Sequence, residues 1–243
     1  MEYDKEYTLL IILSSRINSF AANLLRMNIP IEIYQLILGY SDFPSKIRVR
    51  CANKYLYAKL EICDFYHIDR KYRRILTNDI LRTYPFITKL DADSNVNITN
   101  VNHLTRLEIL RACGAYGACG IDDQGISNLK LKKLYCTDNP RITNVNFMSS
   151  SLKKLDAGGT SGINDSSISK LDLLVFLDAT YNSKITNINH MTNLKTLYKC
   201  DSGISDEHIK LMGLKNLDVI DVPKLVSWNR VYDFLTTPRM LIT

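Results

Sequence analysis

The chain has 243 residues, 46% hydrophobic and 23% charged, an ordinary globular composition with enough apolar matter to close a core. Its net charge of +6 is spread, +4 over residues 1–84 and +2 over 85–243, so neither part has the basic concentration of a dedicated nucleic-acid domain. Six cysteines form no CxxC pair and no cluster with zinc spacing, and they read as reduced thiols of an intracellular, cytoplasmic protein. Cys113 and Cys119 flank a Gly-rich loop and leave a disulfide there open.

Residues 1–26 read as a soluble helix or appendage. The apolar run Leu9–Leu13 is far shorter than the ~20 residues of a membrane span, which predicts no membrane partner. An acidic start (Glu2, Asp4, Glu6) with no small-residue cleavage site does not read as a secretory leader, and Met27 is a candidate start. Residues 27–60 predict a small all-α module. Pro30 suits an early helical position and Glu32 complements the helix dipole. Ile33, Leu36, Ile37 and Tyr40 fall at i, i+3, i+4 and i+7, one apolar helix face. After a break at Asp42–Pro44, a second helix runs through Ile47, Cys51, Tyr55 and Leu56. Residues 61–84 read as a helical linker or cap. Their basic run Arg70-Lys71-Tyr72-Arg73-Arg74 reads as a solvated helix face.

From residue 85 to about 225 the chain repeats. Leu90, Leu110, Leu134, Leu155, Leu177, Leu197 and Ile220 recur every 20–24 residues, each with an aliphatic residue three positions earlier. Two positions later stand Ala92, Ala112, Cys136, Ala157, Ala179, Lys199 and Val222. The pattern L-x-x-L-x-(small apolar), at this period, is that of leucine-rich repeats. It predicts an α/β solenoid in which each unit gives one strand to a parallel sheet on the concave face and stacking buries the leucine columns. Lys199 breaks the small column; either its stem lies along apolar surface with the amine outside, or Cys200 takes the inward place. Residues 226–243 read as a C-terminal cap.

Two kinds of unit alternate. Short units carry Ile98-Thr-Asn-Val-Asn, Ile142-Thr-Asn-Val-Asn and Ile185-Thr-Asn-Ile-Asn, with Asn95, Asn139 and Asn182 placed to hydrogen-bond turn backbone. Long units carry Ile121-Asp-Asp-Gln-Gly-Ile, Ile163-Asn-Asp-Ser-Ser-Ile and Ile204-Ser-Asp-Glu-His-Ile, which predict a capped helical return segment. There the Asn place falls on Ala115, Thr160 and Ser202. Asp122-Asp123 is a helix start with no base or nucleophile beside it. His103 and His190 hold equivalent places in separate units, without converging ligands. No phosphate loop, nucleophile elbow or metal motif is present, so the sequence predicts no catalytic residue, no metal and no cofactor.

The residues flanking each strand leucine are expected to point outward on the concave face. Exposed aromatics on a rigid sheet are usual interface anchors, and charges set orientation. This selects Arg111, Tyr135, Asp156, Phe176, Asp178 and Tyr198 as the surface for an unidentified protein substrate.

The N-terminal module resembles an F-box. The family pattern, Leu-Pro-x-Glu-aliphatic followed by aliphatic positions, Tyr, and a late Cys-Lys with an aromatic, is met by Ile29, Pro30, Glu32, Ile33, Ile37, Tyr40, Ile47, Cys51 and Lys54. It departs at Ser41, where Leu is usual, in a connection after Tyr40 about three residues shorter than the pattern, and at Arg50, where Val is usual. The resemblance covers about residues 28–60. It implies that Ile29, Pro30, Glu32, Ile33, Ile37, Tyr40, Ile47 and Cys51 dock the Skp-type adaptor of a Skp–cullin–F-box ubiquitin ligase, with the substrate held on the repeats. The alternating units also resemble those of F-box/leucine-rich-repeat proteins of giant viruses, which would place the chain in a host cytoplasm. The alternative is a stand-alone repeat protein that sequesters its partner, and a plain helical cap for the solenoid is the alternative for the N-terminal module.

Overall fold

The computed structural model of the chain describes residues 30–52, 54–66, 68–114, 118–214 and 216–221, without the side chains of Lys54 and Leu211. The expected appendage, Ile29, Ala115 and the C-terminal cap lie outside the described residues.

Among the described residues three helices come first: α1 (Ile31–Tyr40), α2 (Phe43–Arg50) and α3 (Lys54–Lys59). Asp42 starts α2 by accepting the Ser45 amide at 2.7 Å, with Pro44 in the first turn. Tyr34 and Leu38 of α1 close a small core with Val49, Leu56 and Leu60. Gln35 fastens this module to the next segment of chain, its side-chain amide exchanging two hydrogen bonds with the Glu61 backbone at 2.7 and 3.0 Å. Phe43 and Ile47 of α2 belong to the other, larger core.

That core is the solenoid. Among the described residues eight strands pair in parallel and in chain order: β1 (Asp64–Phe65), β2 (Lys89–Asp91), β3 (Ile109–Arg111), β4 (Lys133–Tyr135), β5 (Lys154–Asp156), β6 (Phe176–Asp178), β7 (Thr196–Tyr198) and β8 (Asp218–Ile220). The register keeps the leucine column in line from Leu90 through Leu110, Leu134, Leu155 and Leu177 to Leu197. All six are fully buried, each contributing about 1.5–3 kcal/mol through lost apolar surface.

Three expectations are corrected here. The segment 61–84 is not simply helical. Phe65 on β1 pairs with Leu90, preceded by Ile62 at the usual three-residue interval, so this is a further repeat unit. Only two short helices follow it, α4 (Arg70–Arg73) and α5 (Asn78–Arg82). In the last unit Val219, not Ile220, stands opposite Leu197. In the fifth strand's loop one extra residue displaces the turn position from Thr160 to Ser161, which is fully buried. The Ser161 hydroxyl accepts the Ile163 amide, as Ser202 accepts that of Ile204.

The asparagines do what their spacing predicts. Asn139 donates to the carbonyls of Ala112 and Ile121 at 2.8 and 3.2 Å and accepts the Arg141 amide at 3.0 Å. Asn182 does the same with Ala157, Ile163 and Lys184, and Asn95 with Arg73, Leu76 and Asn97. Each side chain thereby satisfies three backbone groups, two of them in the preceding unit.

The long units hold α6 (Asp123–Ile126), α7 (Asp165–Ile168) and α8 (Asp206–Leu211), capped by Asp122, Asn164 and Ser205. The residue after each of the first two caps has a second task. Asp123 accepts the amides of Thr143 and Asn144 and the Thr143 hydroxyl. Asp165 accepts the corresponding groups of Thr186 and Asn187 at 2.6–3.0 Å. The last Asn of the short motif reaches forward: Asn146 donates to the Ser166 carbonyl at 2.7 Å and accepts the Lys170 amide at 2.9 Å. The two unit types are thus complementary, which accounts for their alternation.

Candidate functional site

Two surfaces on this frame carry candidate residues. On the concave face, the residue before each strand leucine forms one row (Lys89, Ile109, Lys133, Lys154, Phe176, Thr196, Asp218) and the residue after it a second (Asp91, Arg111, Tyr135, Asp156, Asp178, Tyr198, Ile220). The rows do not present themselves equally. Asp91, Asp156 and Asp178 are buried, against the expectation that flanking residues point into solvent. Each strand ends at its Asp, and the carboxylate turns back to accept the amide two residues on: Asp93 at 2.9 Å, Gly158 at 3.3 Å and Thr180 at 2.9 Å. Asp156 also takes the Thr137 hydroxyl and Asp91 the Arg73 guanidinium. Asp156 and Asp178 therefore shape the loops of this face, and Arg73 leaves the solvated basic run to become largely buried.

The half-buried side chains between them form a continuous strip. Tyr66, just beyond β1, approaches Tyr135 of β4 with ring centroids 6.3 Å apart. The Lys154 ammonium lies 5.3 Å from the Tyr135 centroid and 3.8 Å from that of Phe176, within cation–π range of both. Phe176 meets Tyr198 at 5.5 Å. The structure thus joins the predicted Tyr135, Phe176 and Tyr198 into one patch. Burial lowers the Lys154 pKa and raises those of Tyr135 and Tyr198. Arg111, on β3 between Tyr66 and Tyr135, is held by Asp93 at 3.5 Å; burial opposes its charge, and the Asp91 and Asp93 carboxylates outweigh that opposition. Sequence reasoning missed Tyr66, because the helical reading of 61–84 hid its strand. The signal was Ile62-x-x-Phe65, standing one repeat length before Ile87-x-x-Leu90.

The second surface is on α1. Ile33, Leu36 and Tyr40 are 44%, 58% and 89% exposed, a stripe at i, i+3 and i+7 on the side turned away from Tyr34 and Leu38. Pro30 and Glu32 are also exposed. Ile37 is partly buried and lines a shallow cleft of about 360 Å³ with Tyr40, Ser41, Asp42 and Ser45. Two residues of the expected adaptor set point elsewhere. Ile47 is fully buried in the solenoid core and Cys51 packs against that core, because α2 turns its apolar side toward the first repeat unit. Arg50 has a use that Val lacks: its guanidinium stacks 4.3 Å over Tyr57 and 4.6 Å over Tyr84 and donates to the Thr83 carbonyl at 3.3 Å.

All six cysteines are free thiols, and burial pushes Cys119 up to about 11. His190 bonds the Ile168 carbonyl of the preceding unit at 2.8 Å. Among the described residues no group of His, Cys, Asp or Glu is arranged to hold a metal ion. No helix of the described residues is long and apolar enough to cross a membrane.

Repeat sequence, parallel register and stacked core together define a leucine-rich-repeat solenoid with a helical module at its N-terminal end. No protein-family model and no curated protein matches the chain. Among solved structures it is similar to internalin C2 of Listeria monocytogenes, with 26% identity and a TM-score of 0.42 over 58% of this chain and 64% of that one. It is also similar to InlF, an internalin of the same organism, with 17% identity and a TM-score of 0.38 over 68% and 58% of the two chains. The matched regions span less than two thirds of those solved chains.

Proposed function

We propose that the chain is a protein-binding scaffold, with a partner held on the concave face and an adaptor of the Skp type on the α1 stripe. The observation that carries the first part is the strip of half-exposed rings joined through Lys154, mounted on a parallel sheet whose every strand is fixed by neighbours. Rigid aromatics lose little side-chain entropy on binding and commonly anchor interfaces. The second part rests on the exposed stripe of Ile33, Leu36 and Tyr40, which the module's own core does not use. Together they give the substrate-receptor subunit of a ubiquitin ligase as the reading, with two surfaces on one frame; a stand-alone sequestering protein would use the concave surface alone.

Co-purification of the full chain with a recombinant Skp-type adaptor separates these. Leu36→Asp places a charge on the stripe without entering the core, so it should abolish adaptor binding while the melting temperature stays unchanged. Adaptor binding that is absent in the native chain, or indifferent to Leu36→Asp, removes the ligase reading. Alanine at Tyr135, Phe176 and Tyr198 should abolish capture of cellular partners and leave adaptor binding intact. Capture that survives moves the partner off the concave face.

A further inference from the structure

The concave strip is bordered by lysines that the fold does not neutralise. Lys133 and Lys154 stand directly opposite each other on β4 and β5. Lys132 and Lys153 precede them in chain, and Lys130 lies two residues before Lys132. These five occupy two adjacent units. Lys132 is paired with Glu108 at 2.6 Å. The other four enter no ion pair within 4 Å among the described residues, although Lys89 on β2 is paired with Asp64 at 3.1 Å and Lys199 after β7 with Asp206 and Asp221. Like charges directly opposite on neighbouring strands repel, and Lys133 is among the groups that hold down the pKa of Lys154. The carboxylates that act on Lys154, Asp156 and Asp178, are buried and occupied by loop amides, so a partner there meets ammonium groups and rings rather than carboxylates.

We propose that the partner of the concave face is an acidic polypeptide segment carrying an aromatic or large aliphatic side chain, laid across β4 to β6. Its carboxylates meet Lys133 and Lys154, and its apolar side chain rests on Phe176 and Tyr198. This rests on the concave-face reading above and adds the chemistry of the partner. Charge complementarity carries it: each lysine that gains a carboxylate relieves the repulsion already present in the free chain. A nucleic acid fits less well. It needs cations along its whole track, and here the row passes from Lys154 to Phe176, Thr196 and Asp218, with two buried carboxylates beneath.

The test is fluorescence anisotropy of the full chain with three labelled probes: a twelve-residue peptide of Glu and Asp around one central Phe, the same peptide with Gln and Asn for the acids, and a twelve-nucleotide oligothymidylate. The acidic peptide should bind at least tenfold tighter than the neutral one and weaken as salt rises. The variant K133E/K154E should lose at least tenfold of that affinity, and K133E alone, at the exposed position, should weaken binding with an unchanged circular-dichroism melt. Equal binding of acidic and neutral peptides, binding unaffected by K133E/K154E, or tighter binding of the oligonucleotide each overturns the proposal. Alanine at Tyr135, Phe176 and Tyr198 distinguishes its failure from that of the underlying reading. If the neutral peptide binds as well and the alanines abolish it, the aromatic surface stands and the acidic partner falls. If the lysines matter and the rings do not, a charge-only contact replaces both statements.

Discussion

Replacing Asn182 by Ala tests whether the buried asparagines hold the units together. The side chain is fully buried and makes three bonds: to the Ala157 carbonyl at 2.8 Å, the Ile163 carbonyl at 3.0 Å and from the Lys184 amide at 3.1 Å. Alanine leaves both carbonyls without this donor inside the stack, and the Lys184 amide, nearer the surface, is free to take water. A buried polar group left unsatisfied costs about 1–3 kcal/mol, so two carbonyls and a partly compensated amide give a loss of about 3–5 kcal/mol. Against the usual ~5–15 kcal/mol of total stability this is severe. The assay is urea unfolding at 25 °C followed by circular dichroism. With a slope of roughly 2 kcal/mol per molar urea, the midpoint should fall by about 1.5–2.5 M. Asn139→Ala, with the same three bonds, should match it. Asn102→Ala is the control: it also bridges units, to the Gln124 carbonyl and from the Asn128 amide, but in exposed positions where water can replace it, so its cost should stay below about 1 kcal/mol. If Asn182→Ala cost no more than Asn102→Ala, the buried ladder would not be what fixes the units.

Gly125→Ala, ordinarily worth about 1 kcal/mol in favour of a helix, should instead destabilise. An added Cβ would lie 2.1 Å from the Thr99 carbonyl oxygen of the preceding unit, and thermal melts should show the sign. Asp165→Asn should flatten the acid limb of the stability profile. Burial pushes the Asp165 carboxyl up, but the bonds from Asn187 and Thr186 outweigh it and hold its pKa below the usual value. A depressed folded pKa stabilises above the unfolded value near 3.9 and is lost as pH falls through the folded one, so the gap between native and variant should close below about pH 4. Lys199→Ala should change stability by less than about 1 kcal/mol in the same urea assay. It restores the small residue of the column and leaves Asp206 and Asp221, 76% and 59% exposed, in water. A large loss would show that the lysine stem is needed to close that end of the stack.

The sequence alone determined the solenoid, its strands from β2 to β7 and the role of the turn asparagines. A period of 20–24 residues with inward leucines leaves stacking as the way to bury them, and an Asn repeated at one place in a tight turn has backbone within reach. For Lys199 it left two placements open, and the structure takes the one with the amine outward, toward Asp206 and Asp221. Tertiary structure decided what depends on neighbours. Whether Ile62-x-x-Phe65 is a helix turn or a strand is undetermined locally, and pairing with β2 settles it. Whether an Asp flanking a strand leucine faces solvent or caps a loop depends on where that strand ends, so Asp156 and Asp178 went inward while Tyr135 and Tyr198 stayed half exposed. Ile47 has the same pattern of apolar neighbours whether it meets a partner or its own solenoid, and packing against the first unit gave it to the solenoid. The meaning of the alternating motifs was also beyond local reading. The Asp of a long unit and the Thr-Asn of the next short one lie 20–22 residues apart, and stacking alone brings the carboxylate to the amides that require it.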